Sequence, residues 1–199
     1  MKTIEYFMSP SSPWTYLGGK LLAEIVEQSG SRVVVFPVDF STIFPNSGGL
    51  PLPKRAPQRQ TYRLMELKRW RRRRHSPMQI QPTNFPTKDS ISSLTIIAVR
   101  ELGLDALTFS NNILAALWEE DKNIDDPKII ERICASLNFD SEAIMKLSRS
   151  PEISKLFEQN TEQAIQKGVF GAPTYLIDGE LFWGQDRLDF VSEKLGLPI

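Results

Sequence analysis

The stretch SPSSPWTYLG, from Ser9 to Gly18, places three serines, two prolines and a tryptophan at the end of the first apolar run, and Ser12 is the side chain in it best placed for chemistry. A serine has no lowered pKa to exploit unaided, and His75, the only histidine, lies far from it in sequence, so a hydrolase triad is hard to assemble. Ser12 followed by Pro13 reads instead as a helix start, where a hydroxyl caps backbone amides and unpaired N–H groups collect partial positive charge. The same hydroxyl can donate to an anion such as a thiolate and favour its ionised form. Local sequence alone favours the plain cap. A second candidate is VFGAPTYL, Val169 to Leu176, in which Pro173 follows two small residues and precedes a strand. A cis bond there would expose the backbone of Ala172 to a ligand, although on residues alone a trans proline is expected.

Other reactive types are scarce. Cys134 is the only cysteine, which excludes an internal disulfide, and with a single histidine it argues against a zinc site; no metal is expected. Cys134 lies among Ile129, Ile130, Ile133 and Leu137 and reads as a core residue rather than a nucleophile. His75 reads as a surface residue.

The elements that must position Ser12 and Pro173 follow from the apolar pattern. Lys2 to Met8 and Arg32 to Phe40 read as strands, with a helix between them opened by Ser12 and Pro13 and closed by Gly30. That is a βαβ unit with a parallel pair. STIFPNSGGLPLPKRAP reads as a loop leaving the sheet. Helical patterns follow from Pro57 to Arg74, from Ser90 to Leu102, in NNILAALWEED, and after Asp126 and Pro127. Near the C-terminus the pattern predicts a helix from Pro151 to Lys167, a hairpin turning at Asp178 and Gly179, and a last helix in DRLDFVSEKLG. This order is that of an α/β thioredoxin-like fold with a large helical insertion. Residues 1–45 and 151–199 would form the thioredoxin-like domain and residues 46–150 the inserted helical domain.

A chain of 199 residues with 41% hydrophobic content can bury a sizeable core. Its formal net charge is zero, so no global field recruits nucleic acid or a membrane. No membrane span or signal peptide is read, which points to the cytoplasm. The one lopsided region runs from Lys54 to His75, with ten Lys and Arg against the single acid Glu66. It reads as a solvated helical face whose inner edge favours an anionic substrate, in preference to a nucleic-acid patch.

Ser12, Pro13, Trp14 and Thr15 stand where thioredoxin-fold disulfide oxidoreductases carry CxxC, and SSPWTYLG with GVFGAPTYLIDGELFWGQDRLDFV resembles the 2-hydroxychromene-2-carboxylate isomerase family. That family is related to kappa-class glutathione transferases and to DsbA-type oxidoreductases. A PLPKR segment, a helix ending KRW and a PTNFP loop extend the resemblance along the chain. The resemblance implies that Ser12 is catalytic and assists the thiolate of bound glutathione, and that Ala172 precedes a cis-proline and pairs its backbone with the cysteine moiety. It implies that Trp183, Gly184, Gln185 and Asp186 hold the γ-glutamyl end, with Asp186 facing its ammonium; Gln185 departs from the commoner Asn. Lys54 and Asn84 fall where the family contacts its acidic aromatic substrate, whereas Pro53 replaces a polar contact that relatives can carry. The implied activity is glutathione-dependent isomerisation of an unsaturated aromatic carboxylate, with conjugation of a small electrophile as the alternative, and a homodimer is left open. A dithiol oxidoreductase is excluded, because Ser12 and Thr15 cannot form a disulfide.

Overall fold

The computed structural model describes residues 1–197. Strands β1 (Thr3–Met8), β2 (Arg32–Pro37), β3 (Thr174–Ile177) and β4 (Glu180–Trp183) form one sheet in the order β2-β1-β3-β4. β1 and β2 are parallel, with Thr3 opposite Arg32 and Met8 opposite Pro37. β3 runs antiparallel to β1, pairing Phe7 with Thr174, and β4 antiparallel to β3, pairing Thr174 with Trp183. Asp178 (φ 52°) and Gly179 (φ 81°) both take the left-handed conformation, which a two-residue hairpin turn requires to match strand twist.

The expected βαβ unit is present. Helix α1 (Pro13–Ser29) starts at Ser12, whose side chain accepts from the Thr15 amide, and ends at Gly30 with φ 61°. One expectation is overturned: the segment after β2 is not all loop. The strand stops at Pro37, and Phe40–Ser47 is helix α2. Asp39 caps it, accepting from Ser41 and Thr42, while Asn46 Nδ2 donates to Thr42 O and Ser47 Oγ to Ile43 O. These side-chain donors serve carbonyls of a helix whose own ladder is broken by Pro45.

Helices α3 (Pro57–Arg73), α4 (Ser90–Glu101), α5 (Ala106–Trp118), α6 (Pro127–Ser136), α7 (Ser141–Ser148) and α8 (Pro151–Gln166) precede the hairpin, and α9 (Leu188–Lys194) follows it. Asp105, Asp126, Asp140 and Ser150 cap α5 to α8 with side-chain oxygens, each bond contributing about 1 kcal/mol. One buried cluster joins Ile4, Tyr6 and Tyr175 of the sheet to Leu22 of α1, Ile96 of α4 and Trp118 of α5. Burying such large side chains stabilises the fold by about 1.5–3 kcal/mol apiece. Phe7, Val38, Ile43 and Leu176 belong to a second, smaller cluster. Among the described residues no helix is long and apolar enough to cross a membrane.

Candidate active site

The register fixes one end of the sheet as the meeting place of the candidate residues. β1 ends at Met8 beside the start of β3, and β4 ends there too, at Trp183. The β1–α1 turn carrying Ser12, the Gly171–Thr174 segment and the Trp183–Asp186 turn therefore converge. Gly184 N donates to Pro173 O at 2.9 Å, tying the last two together. The Ala172–Pro173 bond is cis, as the resemblance implied and the residues alone did not; Phe85–Pro86 is cis as well.

Ser12 is half-buried, and its Oγ accepts from Thr15 N at 3.3 Å. Accepting that bond uses a lone pair and leaves the O–H proton able to point elsewhere, so the cap and the donor role are compatible. Thr15 is fully buried, with Oγ1 lacking a hydrogen-bond partner in the protein. Ser9 and Ser11 are more than turn residues: their hydroxyls donate to Asp89 Oδ2 at 3.0 and 2.8 Å, fastening the β1–α1 turn to the start of α4. Burial, opposed by those two bonds, raises the Asp89 carboxyl above its ordinary value.

The Trp183–Asp186 turn is shaped by close contact. Gly184 has φ 110°, a conformation open to glycine. Gln185 is buried at 2% exposure and begins a 3₁₀ turn, Gln185–Arg187, that packs on α1. Packing this tight needs Gly18, since a Cβ there would lie 2.9 Å from Tyr175 Oη and 3.0 Å from Gln185 Cβ. Asp186 is exposed, makes no capping bond and pairs with Arg187 at 3.4 Å. Trp183 is half-exposed and packs on Phe170 with ring centroids 4.7 Å apart. An open groove of about 750 Å³ runs along β4, bounded by Phe170, Trp183, Arg187 and Phe190. Ser12 and Ala172 are outside its lining. Phe170 and Phe190 lie within the GVFGAPTYLIDGELFWGQDRLDFV stretch, yet nothing in their spacing singled them out as neighbours of Trp183.

Lys54 is exposed in a short 3₁₀ turn, Leu52–Lys54, and enters no ion pair among the described residues. Asn84 directs its Nδ2 donors to Asp121, at 2.6 Å to the main-chain oxygen and 3.2 Å to Oδ1. Among the described residues its Oδ1 accepts no hydrogen bond. The Thr83 and Asn84 amides in turn hold the Asp121 carboxyl well below the usual carboxylate range. Arg63, missed by sequence reasoning, stands over the Phe85 ring at 5.2 Å, next to Asn84 in the chain. Burial and the nearby Arg55 charge push its guanidinium down to about 10. The basic run is largely a solvated face, as expected, with Arg71, Arg72 and Arg73 exposed. Arg74 is the exception, turning inward to Gln185. Among the described residues no group of His, Cys, Asp and Glu is placed to hold a metal ion.

Comparison with known proteins agrees with this fold. Over 196 residues the chain is 26% identical to the 2-hydroxychromene-2-carboxylate isomerase of Sphingobium xenophagum, covering 98% of each chain. It is 23% identical to glutathione S-transferase kappa 1 of Homo sapiens over 208 residues, covering 98% of this chain and 91% of that one. Both relatives are enzymes. A solved 2-hydroxychromene-2-carboxylate isomerase superposes with a TM-score of 0.84 at 21% identity, over 98% of this chain and 94% of that one. The family model of the DsbA-like thioredoxin domain matches residues 3–196, and the chain belongs to that family.

Proposed function

We propose that the protein is a glutathione-dependent isomerase of an unsaturated aromatic carboxylate of the 2-hydroxychromene-2-carboxylate type. The observation that carries this reading is the placement of Ser12. Its hydroxyl is half-buried at the start of the 17-residue helix α1, accepts from Thr15 N and keeps its proton for an anion outside the helix. Thr15 stands three residues further on, so no thiol of the chain competes for that position. The residues present fit glutathione: a hydroxyl donor for its sulfur at Ser12, the main chain of Ala172 beside Pro173 for its cysteine moiety, and the Gln185 amide and Asp186 carboxylate for its γ-glutamyl end.

Bound glutathione supplies a thiolate that adds reversibly to the conjugated system, allows rotation about a former double bond and leaves again, with no net redox change. Ser12 stabilises the negative sulfur by hydrogen bonding, aided by the partial positive charge of the α1 N-terminus. Ala172 orients the peptide by strand-like main-chain pairing. Asp186 offers its carboxylate to an ammonium group. Lys54 and the Oδ1 of Asn84 face the substrate, a cation for its carboxylate and an acceptor for its hydroxyl.

The test is a glutathione titration followed by thiolate absorbance in wild type and Ser12→Ala. The expected result is a thiolate pKa below that of free glutathione in wild type and a smaller depression in the variant. Equal affinity and equal thiolate pKa in both would remove Ser12 from the mechanism. The second reading, a kappa-like transferase, is favoured by the full-length similarity to glutathione S-transferase kappa 1. A stable glutathione adduct with a generic electrophile, with no isomerisation of hydroxychromene carboxylate, would select it.

A further inference from the structure

Arg74 closes α3 and is the one arginine of the run from Arg71 to Arg74 that turns inward. Its amide donates to Trp70 O at 2.9 Å, and its guanidinium lies 5.4 Å from the centroid of the Trp70 ring. From that seat Nη2 reaches Gln185, 111 residues away in the chain, and donates to both its main-chain oxygen (3.2 Å) and its Oε1 (3.3 Å). The two bonds thus join the end of α3 to the turn that follows β4.

The chemistry of the pair decides which way the amide faces. A guanidinium has donors and no acceptor, so the Gln185 atom that meets it is the oxygen, and a flipped amide would set N–H against N–H. With Oε1 occupied and the residue buried at 2% exposure, the group Gln185 has left to offer is its NH₂. A pair of N–H donors suits a carboxylate and repels an ammonium. Asp186, adjacent and exposed, has the opposite preference.

We infer that Arg74 is a positioning residue of the thiol-ligand site: by holding Gln185 Oε1 and main-chain O, it turns the Gln185 NH₂ toward the α-carboxylate of a γ-glutamyl group and leaves the ammonium to Asp186. The inference rests on the glutathione reading and assigns the two charges of the γ-glutamyl end to two residues. Arg71, Arg72 and Arg73 have the same charge and lack the bonds to Gln185, so geometry rather than charge distinguishes Arg74.

The experiment is calorimetric titration of the full chain with two thiols, glutathione and cysteinylglycine, the second of which keeps the thiol and lacks the γ-glutamyl group. Replacing Arg74 by Met is expected to weaken glutathione binding about tenfold, the scale of one lost charge-assisted hydrogen bond. Cysteinylglycine binding stays within about twofold, and so does glutathione binding by Arg72→Met, which removes an equal charge two positions away. Arg74→Lys, which keeps the charge and loses the fork, falls between wild type and Arg74→Met, and it carries the comparison if Arg74→Met does not fold. Glutathione affinity unchanged in Arg74→Met, or equal losses for both thiols, would overturn the inference while leaving the glutathione reading intact. Wild type that binds no glutathione would overturn both.

Discussion

Ser11 Oγ lies 2.8 Å from Asp89 Oδ2, and this contact, with its companion from Ser9, holds the turn that carries Ser12 against the start of α4. Position 12 is therefore set from two sides, by its own cap on α1 and by the Asp89 carboxyl, 78 residues beyond Ser11. Ser11→Ala removes one of the two hydroxyl bonds and is expected to lower stability by about 1–2 kcal/mol, read from urea denaturation.

The Asp89 carboxyl also gives stability a pH dependence of known sign. Its folded value is raised above 3.8, so the folded state holds the proton more tightly than the unfolded one. The contribution is fully present below the unfolded value and is lost as pH rises through the raised folded value. Asp89→Asn removes this titration. The stability of wild type relative to Asp89→Asn should decline as pH is raised from about 4 through the acidic range and then level off. A difference that grows with pH would contradict the assignment.

Gly18 sets how closely α1 approaches the sheet end. Gly18→Ala drives a methyl against Tyr175 Oη and Gln185 Cβ, both held in place by burial. The expected cost is about 1–3 kcal/mol, accompanied by weaker glutathione binding because Gln185 is displaced. At Gly30 an added Cβ meets nothing within 4 Å, and the penalty there comes only from φ 61°. Gly30→Ala should cost about 1–2 kcal/mol of stability and leave glutathione binding unchanged. Thermal melts and titrations of the pair separate crowding at the site from backbone strain remote from it.

Cys134 is fully buried on α6, and burial pushes its thiol up to about 11. At pH 8 a thiol reagent such as Ellman's should label it only as fast as the protein opens, and at once in denaturant. Replacement by Ala should cost about 1–2 kcal/mol and leave activity unchanged. Rapid labelling of the native protein would show that Cys134 is accessible and reopen it as a nucleophile.

Arg63 is a half-buried cation over Phe85 with another arginine nearby and no ion pair among the described residues. Among the described residues no opposite charge offsets its desolvation. Arg63→Met keeps the packing volume and removes that cost, so stability should be unchanged or higher by up to about 1 kcal/mol, measured as a shift in melting temperature.

Much of this architecture was legible because capping chemistry repeats along the chain. Ser12-Pro13, Asp126-Pro127 and Ser150-Pro151 each announce a helix start, and Asp178-Gly179 announces the hairpin. Helix α2 was hidden by Pro45, which reads as a breaker; the Asp39 cap and the side-chain bonds of Asn46 to Thr42 O and Ser47 to Ile43 O support the turns on either side of it. The convergence of Ser12, Ala172 and the Trp183–Asp186 turn was readable from their places at strand ends, since register brings those ends together. The partners of those residues were not. Asp89 with Ser11, Arg74 with Gln185 and Asp121 with Asn84 are contacts between segments 37 to 111 residues apart. No local periodicity encodes such pairings; they arise only when the helices pack.

The charge segregation around α3 has a consequence for the molecule as a whole. Ten cations stand against one carboxylate between Lys54 and His75, and because the chain is neutral, the remainder has nine more acids than bases. A body so divided has a large electric dipole moment despite its zero net charge. Near its isoelectric point it would be retained by cation-exchange and anion-exchange resins alike, presenting opposite poles to each, and a small rise in salt would release it from both.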